Sequence, residues 1–185
     1  KINLNLSKKF FVKKVNYKFN QKSIFYKLEQ KIIKAKKPII ILGGGIKYGK
    51  SKKQLDQFLK KLKIPLVTTW SGVDLVDYNN PFYVGNIGVY GSRAANFTVQ
   101  NSDLILCLGS RLDTRVTGGN PKSFARDATK IVVDIDKEEL GKQRGLKIDL
   151  KIKTDIKNFL INYNSYHNTK IVRKEWLLKC NGWKN

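Results

Sequence analysis

A chain of 185 residues with 41% hydrophobic side chains can bury a core of its own, and it holds no secretory leader and no apolar run able to span a membrane, so a cytoplasmic domain is expected. Its formal charge of +23 would suit a polyanionic partner, yet the excess is densest outside the expected core: residues 1–37 carry +11, residues 38–150 carry +6 and residues 151–185 carry +6. Lysine outnumbers arginine 31 to 6 alongside abundant Asn and Ile, a pattern that A/T-rich codon usage produces by itself, and this weakens the nucleic-acid reading.

In chain order, residues 1–22 mix Lys and Asn with scattered apolar residues and read as a linker or tail. Ser23 is placed to cap a helix whose Ile24, Leu28, Ile32 and Ala35 recur at helical spacing. Pro38-Ile39-Ile40-Ile41-Leu42 is a strand of the kind buried on both faces of a parallel sheet, and it runs into Gly43-Gly44-Gly45. Ser51 then opens a helix with Leu55, Phe58, Leu59 and Leu62 on one face, followed by a strand over Pro65–Thr69. Residues 85–91 have no period and read as a long loop over the sheet. A helix over 92–101 capped by Ser92, strands over 103–108, 130–135 and 146–152, and short helices over 137–142 and 155–163 capped by Asp136 and Thr154 complete the alternation. Strands alternating with helices specify an α/β domain with a parallel sheet covered on both faces. The final stretch, 171–185, carries Trp176, Leu177 and Trp183 among charges and reads as an exposed helix that docks on something outside this chain.

Three constellations bear on chemistry. Gly109-Ser110-Arg111-Leu112-Asp113-Thr114-Arg115-Val116-Thr117-Gly118 follows the apolar run 104–108, so it sits at the carboxyl end of a strand, where open α/β sheets bind ligands. Arginine forks donate paired hydrogen bonds to phosphate; the same Arg-Asp-Arg pattern also suits a surface ion-pair network. Gly43-Gly44-Gly45 lets backbone approach a phosphate or sugar, or simply makes a tight turn. It is not the dinucleotide fingerprint, because Tyr48 stands where a third glycine is needed and Thr68 and Thr69 stand where an acidic residue is needed. Asp134 closes a strand where a carboxylate can accept from ribose hydroxyls, while Asp136 suits a helix cap. Catalytic groups are scarce: His167 lies in a polar stretch and reads as solvated, Cys107 and Cys180 match neither metal nor disulfide spacing, and no nucleophilic triad or P-loop is arguable.

The order of these motifs resembles a known family. Residues 38–45, then Ile64 to Gly72, then Gly88-Val89-Tyr90-Gly91-Ser92-Arg93-Ala94-Ala95-Asn96, then 109–118, then Val133-Asp134-Ile135-Asp136 look like the middle domain of thiamine-diphosphate-dependent enzymes, most of all the acetolactate synthase large subunit. The resemblance covers roughly residues 25–163. It implies a Rossmann-type three-layer domain with a six-stranded parallel sheet, spanning 23–165, with 1–22 as a linker and 166–185 as a linker helix toward a C-terminal domain.

In that family the flanking domains supply the activating glutamate and bind thiamine diphosphate through magnesium, with a Gly-Asp-Gly motif that this sequence lacks. The middle domain holds FAD or ADP in an architectural role, or holds nothing. Carried over by motif, the resemblance implies that Gly43, Gly44 and Gly45 approach the nucleotide, and that Thr69, Trp70, Gly88 and Tyr90 lie along the flavin or ribityl portion. Gly109, Arg111, Asp113, Arg115 and Val116 would surround the phosphates, and Asp134 and Ile135 the adenosine end. Two positions depart from the pattern: Trp70 stands where a Leu or Met is usual and Tyr90 where a histidine is usual. The implied activity of the parent is 2-keto acid decarboxylation and carboligation by a homodimer or tetramer. A ligand-free spacer domain and a basic nucleic-acid-binding module are the competing readings.

Overall fold

The computed structural model describes residues 21–142, 145–167 and 172–184, so the expected tail at 1–22 lies outside the described residues except for its last two. Six strands, β1 (Pro38–Leu42), β2 (Leu66–Thr68), β3 (Tyr83–Asn86), β4 (Leu104–Leu108), β5 (Thr129–Asp134) and β6 (Leu150–Lys153), form one sheet in the order β3-β2-β1-β4-β5-β6. Every pairing is parallel. The chain starts in the middle, winds out to one edge, then returns past β1 to β4. The strand order therefore reverses between β1 and β4, the topological switch point at which doubly wound sheets open a crevice.

Alternation along the strands feeds two cores. Ile40, Leu42, Leu106, Leu108 and Val133 face one side, where α1 (Gln21–Lys34), α3 (Lys52–Leu62) and α7 (Ile156–Tyr166) cover them with Leu28, Ile32, Phe58 and Phe159. Ile39, Ile41, Ile105, Cys107 and Val132 face the other side, under α4 (Arg93–Gln100), α6 (Lys137–Gly141) and α8 (Lys174–Gly182). Two one-turn helices, α2 (Gly45–Tyr48) and α5 (Thr114–Thr117), follow β1 and β4 directly.

The structure corrects the sequence reading in several places. Residues 85–91 are not wholly loop: β3 includes Gly85 and Asn86, with a register shift against β2 between Leu66 and Val67. Ser23 lies inside α1, which begins at Gln21. Ser51 precedes α3 without a side-chain cap; its hydroxyl instead donates to Ile46 O at 3.0 Å. Asp155, not Thr154, caps α7, accepting from Lys157 N and Asn158 N. Ser92 and Asp136 cap α4 and α6 as expected.

The C-terminal helix is not an exposed element waiting for a partner. Trp176 and Cys180, one turn apart on α8, are buried in the second core, and Trp176 Nε1 donates to Pro38 O at 3.0 Å. His167 is also misjudged by its polar neighbours: it is 1% exposed, its Nδ1 is hydrogen-bonded to Glu29 Oε1, and its ring stacks on Tyr163. Tyr163 Oη donates to the same Glu29 oxygen at 2.8 Å. This Glu-His-Tyr cluster ties the first helix to the last turn of α7.

Candidate nucleotide site at the sheet's carboxyl edge

The loops after β1 and β4 meet backbone to backbone at the switch point. Gly43 N donates to Leu108 O at 2.9 Å, Gly45 N to Gly109 O at 3.0 Å, and Gly109 N to Val133 O at 3.1 Å. A Cβ at Gly43 would stand 2.2 Å from Gly109 O, and one at Gly45 would stand 2.9 Å from Gly109 Cα. The triple glycine is thus required by the protein's own chain packing, with Gly43 and Gly44 buried and Gly45 partly open.

Beyond Gly109 the chain turns so that hydrophobic and charged residues part company. Leu112 occupies a left-handed conformation (φ +49°) and is buried, while Arg111 and Arg115 on either side are exposed. Asp113 caps α5 by accepting from Arg115 N at 3.0 Å, and Arg115 Nε lies 3.7 Å from Asp113 Oδ2. With the Arg115 side chain 87% exposed, that pair is a loose surface contact and leaves the guanidinium available. Val116 is half-buried against the second core.

Asp134 ends β5, within the electrostatic reach of Arg111. Burial pushes its carboxyl above the ordinary aspartate range; the hydrogen bond from Asp136 N and the field of Arg111 act in the opposite direction, favouring the charged form. Ile135, next along, is exposed.

On the other half of the edge, Thr69 is buried with its hydroxyl 3.3 Å from Ser71 Oγ, and Trp70 opens a 3₁₀ turn over Trp70–Leu75. Trp70 and Tyr90 meet edge to face with ring centroids 6.1 Å apart, although they are 75% and 83% exposed. Gly88, at φ +112°, is held by both ends of the Asn96 amide: its N–H donates to Oδ1 and its carbonyl accepts from Nδ2, each at 3.0 Å. Val89 N donates to Arg115 O at 3.0 Å, so the loop after β3 is fastened to α5. Asn96 and Leu112 position this edge and were not singled out from sequence; an amide inside a helix and a leucine inside a charged loop carry no local signal.

The structure therefore brings the sequence-selected residues into groups along one edge: the glycines after β1 with Gly109, the Trp70–Tyr90 pair with Gly88 and α5, and Asp134 within the field of Arg111. Among the described residues, no three His, Cys, Asp or Glu side chains come together as a metal site, and no helix is long and apolar enough to cross a membrane.

Comparison with known proteins agrees with this architecture. Residues 26–162 match the family described as thiamine pyrophosphate enzyme, central domain. The acetolactate synthase large subunit of Cyanidium caldarium is 36% identical over 157 residues, covering 83% of this chain and 27% of that protein. The acetolactate synthase isozyme 2 large subunit of Escherichia coli is 38% identical over 120 residues, covering 65% of this chain and 22% of that protein, and the large subunit of Lactococcus lactis is 36% identical over 143 residues, covering 77% and 24%. The chain spans about a quarter of the length of the curated relatives it matches. Its strand order, its edge geometry and its match over residues 26–162 all converge: this chain belongs to the central-domain family of thiamine pyrophosphate enzymes.

Proposed function

We propose that this domain is the middle domain of an acetolactate synthase-like enzyme and holds an adenine nucleotide, FAD or ADP, along the carboxyl edge of its sheet. The observation that carries the reading is the pair of exposed guanidiniums, Arg111 and Arg115, on a backbone fixed by Leu112 and the Asp113 cap, with Asp134 within the field of Arg111. Two unsatisfied arginine forks suit a diphosphate, and a strand-end carboxylate suits a ribose diol. Gly118 and Gly119 have open space where a Cβ would stand, which leaves backbone beside the arginines accessible. The exposed Trp70 and Tyr90 rings offer a face to a planar ring system.

The nucleotide in this domain would supply architecture and no electrons. Thiamine diphosphate and magnesium would be bound by flanking domains of the parent chain, where 2-keto acid decarboxylation and carboligation would take place in a homodimer or tetramer. The parts of the domain would be a linker over 1–22, a body over 23–165, and 166–185 leading toward a C-terminal domain with its helix α8 packed on that body. The purified chain is expected to release FAD or ADP on denaturation, read by absorbance and chromatography of the supernatant.

A second reading, a ligand-free spacer, is favoured by one observation: Gly43 and Gly45 are already filled by the Gly109 turn, so the glycines have a use without any ligand. A chain that releases no nucleotide and ignores added FAD and ADP would establish the spacer.

A further inference from the structure

A cleft among the described residues lies at the opposite end of the sheet from Gly109–Gly118. Its volume is about 500 Å³, within the range of small-molecule sites. One wall runs from Pro121 through Lys130 at the start of β5, the other from Gly145 to Asp149 just before β6. Because the strands are parallel, both walls belong to the amino-terminal edge, away from Gly109–Gly118.

Charge in this cleft is unbalanced. Lys122, Arg126, Lys130 and Lys147 line it against Asp127 and Asp149. Asp149 is already engaged: Oδ2 accepts from Lys130 N at 2.9 Å, and Oδ1 lies 3.5 Å from Lys147 Nζ. Lys122 and Arg126 are exposed and have no ion pair among the described residues.

Lys130 is the unusual member. It is 5% exposed, and its Nζ donates to Ala125 O at 2.6 Å and Ala128 O at 3.0 Å, two neutral carbonyls. An ammonium has three donors, so one N–H is left over, and no carboxylate stands within ion-pair distance among the described residues. A buried cation with no carboxylate in direct contact is costly: burial holds this amine below the ordinary lysine range, the field of Lys147 adds to that, and the more distant carboxylates of Asp149 and Asp127 offset it only in part. A dianion in the cleft would supply the missing charge and accept from the spare N–H, with Arg126 and Lys122 closing from the rim.

We propose that the cleft between residues 121–130 and 145–149 is an anion site built to take a phosphate group, free or carried by a small molecule. The assignment is independent of the nucleotide reading, since the two sites share no residue and lie on opposite edges of the sheet.

The test is a titration of the full 185-residue chain with inorganic phosphate and with glycerol phosphate at constant ionic strength, followed by amide chemical shifts. The expected result is saturable shifts confined to residues 121–130 and 145–149; tighter binding of glycerol phosphate assigns an organic phosphate, and equal binding assigns the free ion. The surface double variant Lys122→Ser with Arg126→Ser should keep the wild-type melting temperature and bind at least tenfold more weakly. Lys130→Met, which keeps the aliphatic stem but removes the ammonium, should abolish binding. Non-saturating shifts, shifts concentrated at 109–117, or a surface double variant that binds like wild type would each overturn the proposal.

Discussion

Polar groups behave differently on the α1–α7 face and at the carboxyl edge of the sheet. On the face, Glu29 receives both Tyr163 Oη and His167 Nδ1, Lys61 Nζ donates to His167 O at 3.1 Å, and Phe25, Phe58 and Phe159 pack around the cluster. There the protein consumes most of its own hydrogen-bonding capacity; His167 Nε2 and Asn164 Oδ1 are the buried atoms of this face with no partner among the described residues. At the edge the backbone is equally well fixed, but Arg111, Arg115, Trp70 and Tyr90 face solvent with loose partners or none. Fixed backbone with spent side chains marks scaffold; fixed backbone with unspent side chains is what the proposed nucleotide site requires.

The largest effect should come from the scaffold. Phe159→Ala empties a buried ring site stacked on Tyr163 and should cost about 3–5 kcal/mol, read as a lowered urea midpoint with the slope unchanged. A loss near zero would mean that the face is not the tightly packed scaffold described. Next, Gly43→Ala sets a methyl carbon against Gly109 O, an overpacking expected to cost about 1–3 kcal/mol by the same measurement. If Gly43→Ala were neutral, the β1 and β4 loops would not be joined as described, and the glycines would be free for a ligand.

Cys107 and Cys180 sharpen the same contrast, because burial pushes both thiols up to about 12 from an ordinary value of 9.0. The unfolded chain then ionises first as pH rises past about 9, so alkali removes stability through these groups, and neither thiol should react with a disulfide reagent at pH 8 until the chain unfolds. Prompt labelling of either would show the second core to be open. The smallest effect on stability belongs to the edge: Arg111→Ala with Arg115→Ala should change the unfolding free energy by no more than about 0.5 kcal/mol per substitution. A large loss would make the pair scaffold after all.

Much of this contrast was legible in the sequence. Apolar runs at 38–42 and 104–108 announce strands buried on both faces, and capping by Ser92 and Asp136 follows from residue type. What escaped is long-range. His167 sits in a polar stretch and is buried by Glu29, 138 positions away, and Trp176 reaches Pro38 across the same separation. The second half of β3 falls in the stretch 85–91 that reads as loop, because Gly85 and Asn86 are poor strand formers admitted by the register shift against β2. At the edge, the arginines and Asp134 were visible from sequence, whereas the Asn96 clamp and the Leu112 turn exist only once the loops are brought together.

Whether Arg111 and Arg115 are held out for a nucleotide, as proposed, is decided by calorimetric titration of FAD and ADP into the wild-type chain and the Arg111→Ala, Arg115→Ala double variant. Wild type should bind at least one of the two nucleotides saturably. In the double variant binding should weaken about tenfold to a hundredfold per guanidinium, as loss of charge-assisted hydrogen bonds implies. Absence of heat from both nucleotides with wild type, or equal affinity in the double variant, would contradict the proposal.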